Sequence, residues 1–475
     1  MRLLERDLIA IVGTSGLVPV DETADRYLFS YRGGSGAAQA IVRPRSVEDV
    51  QSVVRYCYKN DISLIAQGAN TGLVGASTPD RSGDQILICF DRLDDILAYS
   101  PLDRTATVQS GVRLSALNAR AGTDDLCCPI DLGSDPSLGG MAATNAGGAR
   151  LIRYGDMRCQ ILGLEYVLID ENASICGNLS TLRKNNTGPS IDQCLIGSGG
   201  ELALITAVAV QLQPCQRLST SVIIELASED DVPNIISALE HALGPSLLAC
   251  EGMSRGAMMC AMAYAEPLNL PFSAEAPPVY ALLVEASHDN GNGLAENLWE
   301  RLGSALEPFF ETSIANASLG DGSAFWALRH RISDALKHEG QVIGHDIAIN
   351  RSDLPQFHRV MRERLSSRWQ FLKIRDFGHV ADGGDHYNLI WPYGSEPGVD
   401  RERIVQEIRD TIYRVVVGEF GGTFSAEHGL GPLNASAFRQ FIPPTKRRII
   451  AELKRCFDPK GLLGHGVIDF ETAEV

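Results

Sequence analysis

A chain of 475 residues is longer than one hydrophobic core usually organises, so two or three domains are expected. With 44% hydrophobic and 21% charged residues the composition is globular, and 42 Lys plus Arg against 59 Asp plus Glu leave a formal charge of −17, which argues against nucleic acid as a partner. Small acidic substrates stay open, because a local arginine pocket can form on an acidic protein.

The opening "MRLLERDLIAIVG" is broken by Arg2, Glu5, Arg6 and Asp7, which interrupt any signal-peptide core, and no later apolar run reaches membrane-spanning length. The 11 cysteines include no C-x-x-C pair; Cys127 and Cys128 are simply adjacent. That pattern suits a reducing compartment and gives no zinc-finger signal. The expectation is a soluble, cytoplasmic protein, or an organellar one without its targeting segment, with peripheral membrane association left open.

From residue 40, "AIVRPRSVEDVQSVVRYCYKNDISLIAQG" predicts a β-α-β unit. Ser46 and Asp49 form an S-x-x-D cap, Val47, Val50, Val53, Val54 and Cys57 recur at helical spacing, and "SLIA" resumes as a strand. Two glycine-rich loops follow, "QGANTGLVGAS" (67–77) and "DLGSDPSLGGMAATNAGG" (131–148). Glycines allow positive φ and close approach of a ligand, and successive N–H groups can converge on phosphate oxygens. Either loop alone could be a tight turn. The pair, each with Asn-Thr or Thr-Asn beside a glycine, suggests one dinucleotide pyrophosphate held between them. Neither fits the P-loop or the G-x-G-x-x-G setting, which weakens the ATP and Rossmann NAD readings.

Between 85 and 215 the runs "QILICF", "ATVQSG", "ILGLEYVLID" and "ELALITAVAVQL" predict a mostly β subdomain, and Pro214 marks a boundary. From 217 to about 420, strands such as "SVIIEL" and "VYALLVEA" alternate with helices such as "DVPNIISALEHAL", predicting an α+β domain on an antiparallel sheet. Within it, "FGHVADGGDHYN" places His379 and His386 on either side of Asp382-Gly383-Gly384. A turn there would make the two imidazoles cross-strand neighbours able to grip one ion; they could equally be polar residues at a loop mouth. The tail "TKRRIIAELKRCF" reads as an amphipathic helix too short to fold alone, with Lys446, Arg447 and Arg448 on its solvated face.

Taken in order, "AIVRPRSVEDV", "QGANTGLVGAS", "GGMAATNAGGARLIRYGDMRCQILGLEYVL", "NNTG", "GHVADGGDHYN", "SAEHGLG" and "FDPKGLLG" resemble the motifs of the FAD-linked D-2-hydroxyacid dehydrogenases, which include D-2-hydroxyglutarate and D-lactate dehydrogenases in the vanillyl-alcohol-oxidase flavoprotein superfamily. The resemblance implies an α+β fold with a two-subdomain FAD-binding domain (1–215), a substrate or cap domain (216–420) and a C-terminal segment (421–475) packing back on the first. It implies FAD contacts from Gly68, Asn70, Thr71, Gly72, Gly75 and Ser77, from Gly139, Gly140, Thr144, Asn145, Gly147 and Gly148, from Tyr154 and Gly155, and from Asn186, Thr187 and Gly188. No histidine occurs in either loop or in "YRGGSG", so the FAD is expected to be non-covalent.

Oxidising a 2-hydroxyacid needs a base for the hydroxyl proton, an electrophile and a cation for the carboxylate. By resemblance, His379, His386 and Glu427 hold a divalent metal, zinc by family precedent, His428 is the base, and Arg329, Ser333 and Asn388 bind substrate. The expected acceptor is an electron-transfer flavoprotein, a quinone or a cytochrome, and homodimers are common in the family. Four positions depart from its pattern: Gly344 replaces a lysine, the turn reads Ala381-Asp382-Gly383-Gly384, "GSGGEL" moves an acid to Glu201, and the tail reads Gly464-His465-Gly466-Val467. Two alternatives stay open: an FAD-dependent oxidase on another alcohol or sugar, since oxygen access depends on the cavity beside the flavin, and, motivated by these departures, a non-catalytic flavin-binding protein.

Overall fold

The computed structural model describes residues 3–21, 24–216, 218–288, 294–320, 322–396 and 398–470, with side chains in the helix that starts at Leu294 described from residue 298. The chain divides into two compact units. The first runs to Gly148, resumes over Gly155–Cys215 and is completed from Glu427 onward; the second consists of Ala149–Tyr154 and Gln216–Ala426.

In the first unit, strand Ala40–Val42 leads into helix Val47–Asn60, whose cap Ser46 accepts the Asp49 amide at 3.2 Å. The Asp49 carboxylate accepts from the Arg45 amide and does not close a reciprocal box on Ser46. Val50, Val53, Val54 and Cys57 are buried, as the spacing demands. The elements of the β-α-β unit are as expected, but the strands are not neighbours: Ile86–Cys89 lies between Ala40–Val42 and Leu64–Gln67, pairing parallel with both. Leu17–Val18 adds an antiparallel edge. A second, antiparallel sheet of five strands centres on Leu204–Gln211, where seven successive buried residues explain the unbroken apolar run.

The tail joins this unit through helix Pro444–Phe457. Lys446 and Arg448 are exposed, yet Lys454 is 1% exposed. Its ammonium pairs with Asp458 Oδ2 at 2.8 Å and donates to the carbonyls of Glu201 and Leu463, and Asp458 in turn accepts the amides of Leu462 and Leu463. A buried lysine is tolerable only because its donors and its charge are matched.

The second unit is built on one antiparallel sheet. Its strands are β1 (Ser219–Leu226), β2 (Leu247–Ser254), β3 (Tyr280–Ser287), β4 (Ile314–Gly320), β5 (Gly340–Ala348), β6 (Lys373–Gly378) and β7 (Gly384–Pro392). Their spatial order is β4-β1-β3-β2-β6-β7-β5. Helices α1 (Arg255–Tyr264) and α2 (Ser323–Glu339) pack on one face, where Met253, Phe377 and Ile390 meet Ala257, Met258, Leu328 and Ile332. Helix α3 (Leu354–Arg368) lies on the other, with the Phe357 ring edge-on to Tyr387 at 5.3 Å. Among the described residues no helix is long and apolar enough to cross a membrane.

Lys454→Met leaves the Asp458 charge buried without its ammonium, and it is expected to lower unfolding stability by about 3 kcal/mol. Urea melts read the shift. The exposed control Lys446→Met should change stability by less than about 0.5 kcal/mol, and equal midpoints for the two variants would refute the role given to Lys454.

Candidate functional site

The β6–β7 hairpin sets the chemistry of the second unit. Its turn is closed by Asp382, Gly383 and Gly384 amides that donate to the carbonyls of His379, Val380 and His379, and Asp382 Oδ1 also accepts the Gly384 amide at 2.8 Å. Gly383 has φ +87, and a Cβ there would stand 2.0 Å from the Ile349 carbonyl oxygen, so the position demands glycine. His379 opens the turn instead of lying in a strand. His386 sits in β7 opposite Phe377, and the two imidazoles stand edge to face with centroids 5.3 Å apart.

Side chains alternate across a strand, so register assigns each residue to a face. His386 pairs with Asp346 and Asn388 with Gly344 across β5, while Phe377 pairs with Met253 across β2. Glu251, Phe377, His386, Asn388 and Asp346 therefore share the face covered by α1 and α2. Asp376, Asp385 and Tyr387 occupy the opposite one.

On the first of these faces, Glu251 is 1% exposed and takes two partners. Oε1 accepts from His379 Nδ1 at 2.7 Å, and Oε2 accepts from Arg329 Nε and Nη2, each at 2.8 Å. Burial works to raise the Glu251 carboxyl, and His379 and Arg329 more than offset it, holding it below the ordinary range. Arg329 itself is buried and lies over the Phe377 ring at 4.5 Å; Ser333, one turn on, is exposed. The guanidinium is thus already committed on one edge to Glu251. Sequence reading missed Glu251, although a lone acid in the buried run "LLACEGM" was a usable signal.

Asp346 was also missed. Its Oδ1 is 3.9 Å from His386 Nδ1, and its carbonyl and Oδ2 both accept the Ala426 amide, at 3.2 and 3.1 Å. Glu427 and His428 follow Ala426 directly in the chain, with Glu427 Oε1 3.8 Å from His428 Nε2. Asn388 is buried, its Nδ2 donating to the His386 carbonyl at 2.8 Å.

In the first unit the two glycine loops are joined. A Cβ on Gly68 would fall 2.2 Å from Oγ of Ser137, the residue that caps Leu138–Thr144 through the Gly140 amide. Asn70 and Ser77 spend their side chains on structure: Asn70 Nδ2 donates to the carbonyls of Arg26 and Phe29, and Ser77 donates to Asn70 Oδ1. Asn145 does likewise, with its Nδ2 on Asp156 and its Oδ1 accepting the Arg158 amide. Thr71 and Gly72 are exposed; Gly139, Gly147 and Gly148 are buried; Gly75, Gly148 and Gly155 have positive φ. Thr144 donates back to the Gly140 carbonyl. Asn186, Thr187 and Gly188 lie in an exposed loop, and Tyr154 ends the short Leu151–Tyr154 helix that belongs to the second unit. The segment after His428 runs along both loops: a Cβ on Gly429 would touch Thr144 at 3.6 Å, and the Leu433 amide donates to the Val74 carbonyl.

The two units, one rich in glycine loops and one built on an antiparallel sheet, each match a flavoprotein domain. A family model described as an FAD binding domain matches residues 38–176, and one described as FAD linked oxidases, C-terminal domain, matches residues 216–468. The chain is 30% identical over 468 residues to a probable mitochondrial D-2-hydroxyglutarate dehydrogenase of Oryza sativa subsp. japonica, covering 96% of this chain and 79% of that one. It is 31% identical over 435 residues to the mitochondrial D-2-hydroxyglutarate dehydrogenase of Bos taurus, covering 90% and 76%. Among solved structures, p-cresol methylhydroxylase with substrate bound aligns at a TM-score of 0.73 and 15% identity, covering 98% of this chain and 96% of the other. The chain belongs to the FAD-linked D-2-hydroxyacid dehydrogenase family, with the α+β fold of the vanillyl-alcohol-oxidase flavoproteins.

The residues fit FAD. The loops leave open space above Gly72 and Gly133, and Ser110 Oγ, Glu201 Oε2 and His465 Nε2 are buried polar atoms without a protein partner among the described residues. Toward a divalent ion, Asp346 and His386 bring ligand atoms within 4.8 Å of each other, while His379 is not grouped with them and gives its Nδ1 to Glu251, an arrangement in which a carboxylate orients an imidazole.

Glu251→Gln is expected to lower the stability of the second unit by about 3 kcal/mol, because Arg329 keeps a buried charge with no anion. Differential scanning calorimetry of the purified protein would show it. A transition within 1 °C of wild type would mean that Arg329 finds another partner.

Proposed function

We propose that this protein oxidises a D-2-hydroxyacid to the 2-oxoacid and passes the electrons to an electron-transfer flavoprotein, a quinone or a cytochrome. The observation that carries the reading is the pair of hydrogen bonds from the Ala426 amide to Asp346, which anchors the residue preceding Glu427-His428 on the strand paired with His386. Bound FAD supplies a two-electron acceptor for the α-hydride. A divalent metal, zinc by its imidazole and carboxylate donors, would supply an electrophile for the oxidation.

The protein's own groups divide the remaining work. His379, His386 and Glu427 would hold the metal, with Glu251 fixing the His379 ring through Nδ1. His428 takes the hydroxyl proton, with Glu427 beside it to stabilise the imidazolium. Arg329 offers Nη1 to the substrate carboxylate while Nε and Nη2 stay on Glu251, and Ser333 contributes a hydroxyl one turn away. Asn388, held by its Nδ2, presents Oδ1 to the substrate hydroxyl. Gly344 supports a substrate whose distal end is not gripped by a cation at this position, since the residue opposite Asn388 has no side chain. Gly68, Asn70, Thr71, Gly72, Gly75 and Ser77, with Gly139, Gly140, Thr144, Asn145, Gly147 and Gly148, hold the pyrophosphate through backbone N–H groups. Tyr154, Gly155 and the Asn186-Thr187-Gly188 loop complete the cofactor contacts.

The test is anaerobic titration of the flavin spectrum with D- and L-2-hydroxyacids, before and after chelation. A D-acid should bleach the flavin, its L-enantiomer should not, and chelation should slow bleaching at least 100-fold. His428→Asn should retain the flavin yet reduce it at least 1,000-fold more slowly. Bleaching at the wild-type rate in that variant would remove His428 from the base role, and a flavin that stays yellow with every acid would remove the reaction.

A further inference from the structure

The face of the sheet opposite His386 carries a second cluster that the proposed reaction does not use. Asp376 from β6 and Asp385 from β7 lie there at 4% and 3% exposure. His358 of α3, also 3% exposed, points its ring at them. Its Nε2 is 3.0 Å from Asp385 Oδ2 and 3.9 Å from Asp376 Oδ2, and its Nδ1 is 2.8 Å from Glu229 Oε2. The other Glu229 oxygen is paired with Arg362. Glu229, His358 and Asp376 each bring a ligand atom within 4.8 Å of the others.

Three features exceed what a closed ion-pair network needs. Asp376 Oδ2 and Asp385 Oδ1 are buried with no hydrogen-bond partner among the described residues. The Tyr387 hydroxyl, 1% exposed and on the same face, also has none, and its ring stacks near His358 at 6.1 Å.

We propose that His358 Nε2, Asp376 and Asp385 bind a second divalent transition-metal ion, zinc or manganese, with Glu229 holding the His358 Nδ1–H. In tetrahedral coordination with bonds of about 2.0–2.1 Å, ligand atoms stand about 3.3 Å apart, and the Nε2 separations of 3.0 and 3.9 Å bracket that value. Binding releases the Nε2 proton to solvent, and Glu229 on Nδ1 then plays the part that Glu251 plays toward His379. The ion ties α3 and the segment before Val232 to the central strands, so its role is structural. It does not depend on the catalytic assignment, because the two groups of ligands are on opposite faces of β7.

The test is metal content of the full-length, flavin-loaded protein by inductively coupled plasma mass spectrometry. Wild type is expected to hold two ions per chain. His386→Ala/Glu427→Gln should hold one, and adding His358→Gln/Asp376→Asn should remove it. A catalytic-site variant that keeps its flavin and holds no ion overturns the proposal. A wild type with one ion that survives His386→Ala/Glu427→Gln and disappears with His358→Gln would support this site while removing the catalytic metal. Should the quadruple variant not fold, chelation of His386→Ala/Glu427→Gln decides the matter. Its melting temperature should fall by more than about 4 °C and return with added zinc or manganese, and no shift would overturn the site.

Discussion

Alternation along one β-strand governs the second unit. Asp385 and His386 are neighbours in sequence, yet β7 turns them to opposite faces, one toward α3 and the other toward α1 and α2. A one-residue slip of this hairpin would exchange the two sets of side chains and bury His386 among carboxylates. The register is pinned at the turn. Gly378 admits no Cβ, which would meet the Gly384 carbonyl oxygen at 2.6 Å, and Gly383 makes the turn at positive φ. The two glycines thus specify which titratable groups face which helices.

The same unit shows how buried charge is made tolerable. Glu251 stands in a strand whose neighbours are all apolar or small, and it is stable there because Arg329 and His379 approach it from α2 and from the hairpin turn. Three elements distant in sequence meet at one carboxylate. That convergence orients His379 and holds the guanidinium by one edge, so a single acid fixes the geometry of two groups assigned to the reaction. In the first unit Lys454 and Asp458 solve the same problem with main-chain carbonyls and amides as additional partners.

What the sequence made legible was local. The helix after Ser46, the strand at Leu204–Gln211 and the turn at Asp382-Gly383-Gly384 each follow from a pattern contained within about a dozen residues. Insertion of Ile86–Cys89 between two strands was not visible, because strand order is set by long-range pairing that no local period encodes. Glu251 and Asp346 escaped for a related reason, and His358 reads from its segment as an ordinary histidine. Each looks like an ordinary polar residue in its own segment, and each acquires meaning only from partners 18 to 129 positions away. Arg329 is named by resemblance, and no local pattern points to its pairing with Glu251.

The departures from the family pattern at Glu201 and Gly464 prove to be one physical feature. Glu201 is 2% exposed, and its Oε1 accepts the His465 amide at 2.8 Å. A Cβ on Gly464 would stand 2.6–2.8 Å from that carboxyl group, so the acid can occupy its place only because residue 464 has no side chain and takes φ +84. Each change alone would be costly, a buried acid without its amide donor or a tail loop without its anchor. Together they close the C-terminal segment onto the first unit, and they leave Glu201 Oε2 buried and unpartnered among the described residues. A paired change that strengthens the closure and keeps a polar atom in reserve is better explained by a retained ligand-binding surface than by its decay.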